Sequence, residues 1–262
     1  MNGKKVSRIA AITAIIAVVS LLIAGLIGIS SGVFRGIPGK VKAFSVSGAL
    51  PLEGTRNITI MTTNGYITIR ETSGDEITAS LHGTLNSLEE RPRLEVRRQG
   101  DTAEIRFERN QRYLQIGRQP NNAVLEVGIP NKYAGKLSVE GVSSDISLQN
   151  HAYSELALKT VSGDIESDGA LAVIGSVDAH SISGDVALSF SKMPGSIAVK
   201  TVSGDVHLAV PSNAQYTLET HSVSGDVTSD SSATNLQPGG SKGIITANTV
   251  SGNIGISRNG GI

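Results

Sequence analysis

The 262-residue sequence has no cysteine and no tryptophan, four phenylalanines, five tyrosines and no net charge. Each shortage removes a class of protein. Without cysteine there is no thiol nucleophile, no thiolate metal ligand and no disulfide. A secreted domain of about 220 residues can stand on its core without such staples, so this does not argue against export. Few aromatic rings mean few platforms for stacking sugars, and no paired acid and base stands out for glycoside chemistry. A balance of 23 Lys/Arg against 23 Asp/Glu gives no general drive toward nucleic acid. No nucleophile elbow, phosphate loop or zinc-binding histidine pair appears. The chain reads as non-catalytic and without a cofactor, and a carbohydrate-active enzyme is the alternative.

What the sequence does have is one short phrase written six times. The copies are Val142-Ser-Ser-Asp-Ile146, Val161-Ser-Gly-Asp-Ile165, Ile182-Ser-Gly-Asp-Val186, Val202-Ser-Gly-Asp-Val206, Val223-Ser-Gly-Asp-Val227 and Val250-Ser-Gly-Asn-Ile254. Their Asp/Asn positions step by 19, 21, 20, 21 and 27 residues. A period near twenty marks a stacked solenoid. Five residues before each phrase stand Leu137, Leu156, Val177, Ile197, Leu218 and Ile245. Three before stand Val139, Leu158, Ala179, Val199, Thr220 and Ala247. Between these columns lie Glu140, Lys159, His180, Lys200, His221 and Asn248. This period-two alternation gives each rung a strand with one buried and one wet face.

After Gly-Asp the alternation resumes, with Val206, Leu208 and Val210 inward and His207 and Ala209 outward. Gly supplies the positive φ of a tight corner, and Asp suits it because its side chain bonds nearby backbone. The first Val/Ile of the phrase is expected to face inward, through a corner or bulge just before it. Stacking at ~4.8 Å per rung then makes a narrow continuous core. Ile58, Ile60, Thr62, Asn64-Gly65, Ile67 and Ile69 fit the same template as a degenerate earlier rung. The expected fold is all-β: a parallel β-helix or β-solenoid with about 20-residue rungs, preceded by an N-terminal transmembrane helix.

Lys4, Lys5 and Arg8 precede an apolar run from Ile9 to Ile29. A helix of about that length spans ~30 Å of hydrocarbon, and the basic flank places the N-terminus in the cytoplasm. A cleaved signal peptide is the competing reading, but the run is long for one and lacks a clean small-residue site. The expected order is a cytoplasmic tail (1–8), an anchor (9–29), a linker (30–43), a β region with the early rung and a hairpin (44–136), the repeats (137–257) and a short tail (258–262). The protein is then a single-pass membrane protein with its main domain outside.

Three sets of residues are candidates for chemistry. Asp145, Asp164, Asp185, Asp205 and Asp226 should stack one per rung, with Asn253 ending the column. Carboxylates so spaced invite a cation such as Ca²⁺, yet Asp also closes such corners by turn chemistry alone. Turn chemistry is preferred here, and no metal is assigned. Charge is uneven, with 16 Lys/Arg against 10 Asp/Glu over residues 1–120 and 7 against 13 thereafter. Much of the excess is Arg91, Arg93, Arg97, Arg98, Arg106, Arg109, Arg112 and Arg118, on and around a hairpin turning at Gln99-Gly-Asp101. Glu95, Glu104 and Glu108 suit a solvated strand face. The alternative is a basic patch for anionic lipid or wall polymer, each Arg contributing roughly 1 kcal/mol. The histidines are read as surface residues. His180 and His221 share a column two rungs apart, too far for one zinc, and His82, His151 and His207 have no evident partners.

The tandem Val-Ser-Gly-Asp-Val rungs, the N-terminal anchor and the β-rich lead-in resemble a bacterial family of unknown function named putative adhesins. They are also similar to the head domains of putative autotransporter adhesins. The resemblance spans residues 44–257. It implies a cell-surface β-solenoid that binds envelope components or a protein partner, linked in Gram-positive relatives to envelope stress. An alternative is a regulator acting through a membrane partner, since Met1–Arg8 is too short to hold a signalling domain. Ser144 for the corner Gly, Asn253 for Asp and the 27-residue final step depart from the pattern, as terminal rungs do.

The full-length protein should sediment with membranes, and residues beyond about 36 should be open to external protease. A soluble form beginning after residue 25 would establish a cleaved signal instead.

Overall fold

A computed structural model describes residues 42–85, 92–108, 123–230 and 242–259. The expected anchor at 9–29 lies outside the described residues, among which no helix is long and apolar enough to cross a membrane. The N-terminal strands are β1 (Lys42–Pro51), β2 (Asn57–Thr72), β3 (Glu76–Leu85), β4 (Arg93–Gln99), β5 (Thr102–Glu108) and β6 (Val124–Pro130). The repeats give β7 (Lys136–Gln149), β8 (Ala152–Tyr153), β9 (Glu155–Lys159), β10 (Ile165–Val173), β11 (Ser176–His180), β12 (Val186–Lys192), β13 (Ser196–Lys200), β14 (Val206–Pro211), β15 (Gln215–Ser224), β16 (Val227–Ser229), β17 (Lys242–Ser251) and β18 (Ile254–Asn259).

Two sheet faces run the length of the stack and meet at the repeated phrase. The first orders β4, β5, the front half of β2, the front half of β7, β9, β11, β13, β17 and β15. The second orders β1, β3, β6, the back halves of β2 and β7, then β10, β12, β14, β18 and β16. Pairing is parallel from β2 onward, as a solenoid requires. The N-terminal edge is antiparallel in β1–β3, β3–β6 and the β4–β5 hairpin. The early rung stands where its pattern put it, with Ile58 opposite Leu137, Gly65 opposite Ser144 and Ile67 opposite Ile146.

Alternation decides what lies inside. Leu137, Leu156, Val177, Ile197 and Ile245 form one buried column, and Val139, Leu158, Ala179, Val199 and Ala247 another. Ile146, Ile165, Val186, Val206 and Ile254 continue the core beyond the corner. Burying each such side chain contributes roughly 1.5–3 kcal/mol.

Two expectations fail here. The first Val/Ile of the phrase faces out: Val142, Val161, Val202, Val250 and Val223 are 49, 40, 46, 49 and 68% exposed. The alternation runs on without a bulge, even where β9, β11 and β13 have ended, so the residue just before it takes the inward place instead. That residue is Thr160, Ser181, Thr201 or Thr249, each buried.

The rungs are also not stacked in sequence order. The last pair of strands, β17 and β18, inserts between β13–β14 and β15–β16. Asn253 therefore lies inside the column and does not end it, and the 27-residue step is an interior rung. His180 and His221 stand three rungs apart, with Lys200 and Asn248 between them. The reason lies in the inward positions. β17 and β18 offer Ile245, Ala247, Ile254 and Ile256, whereas β15 and β16 offer Leu218, Thr220, Val227 and Ser229 at the matching places, two of them polar. The apolar rung gains more from burial on both sides, and the polar one suits the end of a stack.

Val206→Asp should cost several kcal/mol, because it puts an unpaired charge in the core. Lys200→Ala on the wet face should cost under about 0.5 kcal/mol. Ile256→Asp should be as damaging as Val206→Asp, while Ser229→Asp at the equivalent place in β16 should be nearly neutral. Denaturant melts of the four variants check this, and a larger loss at Ser229 than at Ile256 would mean that the two rungs are exchanged.

Candidate functional surface

The corner is where the repeated residues act. Gly163, Gly184, Gly204, Gly252 and Gly225 all have φ between 144° and 154°, a region that side chains rarely adopt. A Cβ on Gly184 or Gly204 would lie 2.1 Å from the corner carbonyl oxygen of the adjacent rung. Only glycine fits. This bend takes two backbone groups out of the regular ladder, the Gly carbonyl and the Asp N–H. Side chains of the neighbouring rung satisfy both.

The Asp N–H groups are taken by carboxylates. Asp164 N–H donates to Asp145 Oδ1 at 3.0 Å, Asp185 N–H to Asp164 Oδ1 at 2.8 Å, and Asp205 N–H to Asp185 Oδ1 at 2.7 Å. Asn253 N–H donates to Asp205 Oδ1 at 2.7 Å, and Asp226 N–H to Asn253 Oδ1 at 2.9 Å. The Gly carbonyls are met by the inward hydroxyls. Ser181 bonds Gly163 O at 3.3 Å, Thr201 bonds Gly184 O at 3.4 Å, Thr249 bonds Gly204 O at 3.3 Å and Ser222 bonds Gly252 O at 3.1 Å. Thr160 does the same to Ser144 O at 3.0 Å. This Thr/Ser column escaped the sequence reading, although its signal, a Thr or Ser just before five of the six phrases, was visible. The first rung is the exception. There Gly141 replaces the Thr, and the buried Ser144 side chain fills its space, since a Cβ on Gly141 would lie 2.7 Å from that of Ser144.

Asp145, Asp164, Asp185, Asp205 and Asp226 are thus brought together, as a side-chain ladder. Among the described residues no group of three or more His, Asp or Glu is placed to hold a metal.

The arginine stretch divides. Arg97 pairs with Glu104 at 2.7 Å and Glu95 at 3.4 Å, and the hydrogen bond that it donates to Glu104 raises its pKa still further. Arg106 reaches Glu108 at 3.4 Å and Met61 Sδ at 3.6 Å. Arg98 donates to the carbonyls of Pro51 and Glu53 and so ties the hairpin to the turn after β1. Arg93 is exposed at the start of β4. Arg91, Arg109, Arg112 and Arg118 lie outside the described residues.

His151 is not a surface residue. It is 4% exposed, packed between Tyr133 and Tyr153, with Nε2 2.9 Å from Tyr133 O and Nδ1 3.2 Å from Glu71 Oε2. A carbonyl only accepts, so Nε2 carries a proton. Burial pushes the Tyr133 and Tyr153 phenols up out of their ordinary range. His180 is held by Asp178 at 2.6 Å, and His82 lies half-buried on β3. His207 stands on the outer side of the second face, over Gly255, in a shallow groove of about 480 Å³. Ala187, Ser189, Ala209, Thr228 and Ser257 line the groove with it.

These features define a class: an all-β, largely parallel, solenoid-like module whose corners are closed by side chains. The Toastrack DUF4097 family matches residues 55–173 and 171–257, and the chain belongs to that family. No curated protein matches it. Among solved structures, a putative cell adhesion protein from Clostridium sporogenes is 9% identical, with a TM-score of 0.57 over 83% of this chain and 100% of its own. A putative adhesin from Bacteroides fragilis is 12% identical, with a TM-score of 0.45 over 85% of this chain and all of its own. The first of these likenesses shows a shared fold.

Asp205→Ala should cost about 1 kcal/mol, because it leaves Asn253 N–H without its acceptor. Asp226→Ala should cost little, since no described rung lies beyond it to donate. Replacing Asp185, Asp205 and Asp226 together by Asn should leave the fold intact, as Asn253 already accepts the same bond. Melting curves with millimolar Ca²⁺ and with chelator complete the test. A rise of several degrees in the wild type, lost in the triple Asn variant, would make the ladder a metal site.

Proposed function

We propose that the protein is a non-catalytic, adhesin-like module of the cell surface. It is held at the membrane through the 9–29 segment, with its N-terminus in the cytoplasm, and binds an envelope component or a partner protein. The observation that carries this reading is the outer side of the second sheet face. There the groove around His207 crosses β12, β14, β18 and β16 along the axis of the stack. It is shallow and open, and besides His207, Asp230 and Asn253 the outward side chains along it are small ones, Ala187, Ser189, Ala209, Thr228 and Ser257, so an extended polymer or a flat protein surface can approach the sheet closely. The carboxylates around it serve the fold: Asp230 accepts from Arg258 N–H at 3.2 Å, and the ladder carboxylates Asp185 and Asp205 accept from Asp205 and Asn253 N–H. Wall polymer, anionic lipid and a membrane protein are the partners this reading offers, with Arg93 available on the hairpin for an anionic one.

Ala187→Arg with Ala209→Arg fills the groove from outward positions and leaves the core untouched. Cells carrying this variant should lose at least about tenfold in binding to isolated wall material or to partner cells. Unchanged binding, together with expression that rises under cell-wall antibiotics, would replace the adhesin-like reading by that of a stress regulator.

A further inference from the structure

The outward valines form the one uniformly aliphatic outer column of the repeats. In spatial order they are Val142, Val161, Ile182, Val202, Val250 and Val223, six β-branched side chains over ~24 Å. The other outward columns are mixed. Two residues before it come Glu140, Lys159, His180, Lys200, Asn248 and His221, and five after it come Ser147, Glu166, Ala187, His207, Gly255 and Thr228. The five valines are exposed and Ile182 is half-buried, and an aliphatic ridge of this kind rimmed by polar groups is the usual mark of an interaction surface.

The rims identify the occupant. On one flank runs the column Lys159, His180, Lys200, Asn248 and His221. On the other, three residues past each valine, runs the column Asp164, Asp185, Asp205, Asn253 and Asp226. The two agree rung by rung: a Lys or His accompanies each Asp, and the uncharged Asn248 accompanies the uncharged Asn253. Only the first rung, with Glu140 and Asp145, breaks the rule. Among the described residues these columns do not pair with each other. Lys159 leans toward Glu140 at 3.9 Å and His180 toward Asp178, while Asp164, Asp185 and Asp205 each accept a backbone N–H on one carboxylate oxygen and the end-rung Asp226 accepts none from a further rung.

We infer that the ridge is a contact between two copies of this chain, related by a two-fold axis parallel to the stack. Such a rotation keeps every rung at its own height, lays valine column on valine column and exchanges the flanks. Lys200 then faces the partner's Asp205, Lys159 the partner's Asp164, and Asn248 the partner's Asn253. A two-fold across the stack would instead set acid column on acid column, which like-charge repulsion opposes. The selected axis also points both N-terminal ends the same way. The inference does not depend on the adhesin-like reading, since it uses the corner, which meets the groove only at Asn253.

The chain has no cysteine, so single-cysteine variants of the full chain report position cleanly. In detergent micelles with diamide, Val202→Cys should form a disulfide-linked dimer at least about tenfold faster than Ala187→Cys on the second face. Adding Lys159→Glu and Lys200→Glu should slow that cross-link severalfold at low salt. Adding Asp164→Lys and Asp205→Lys as well should restore it. Circular dichroism melts confirm that each variant is folded. If the aspartate variants do not fold, the Lys→Glu arm and its salt dependence still decide. Equal cross-linking at residues 202 and 187, or a cross-link indifferent to charge reversal, would overturn the proposal. So would a monomer whose Val202→Cys thiol is shielded only by added wall polymer.

Discussion

Everything in this fold depends on the left-handed glycine at the corner. It lets the rung turn tightly enough for the next rung to lie against it, and there is no room at that point for a Cβ. The same bend removes one carbonyl and one N–H per rung from the backbone ladder. Left bare inside a stack, each would cost roughly 1–3 kcal/mol. The adjacent rung answers with a hydroxyl for the carbonyl and a carboxylate for the N–H. The repeated phrase is therefore a set of mutually dependent parts. Gly creates the demand, Asp and the preceding Thr or Ser supply it, and each supplies it to a neighbour. That is why the phrase recurs as a unit, and why the first rung changes Gly141 and Ser144 together.

The same dependence between neighbours governs the order of the stack. Each rung contacts only the ones beside it, so the end must be taken by a rung that tolerates one uncovered side. Thr220 and Ser229 make β15–β16 that rung, and the more apolar β17–β18 moves inward. Family membership and the shared fold with a putative cell adhesion protein agree with a scaffold of this kind, in which stability is local and the surface is long and regular.

Much of this was legible. The period of twenty, the inward columns, the early rung at Ile58–Ile69 and the hairpin turning at Gly100 follow from alternation and turn chemistry, which are local. Other features were not. The outward valine runs against the expectation that aliphatic residues face the core, although strict alternation from Leu158 through Thr160 places Val161 outside. His151 looked solitary because its partners, Tyr133 and Glu71, are 18 and 80 residues away.

By itself, then, the sequence determined the repeat unit, its corner and the alternating core, because these are set by φ preferences and side-chain polarity within a few residues. The tertiary structure alone decided which rung lies beside which, and with it the partner of every ladder carboxylate. Asp205 meets Asn253 across 48 residues of chain and not Asp226 across 21. Identical phrases are interchangeable as neighbours, so only the total burial of the finished stack distinguishes one order from another.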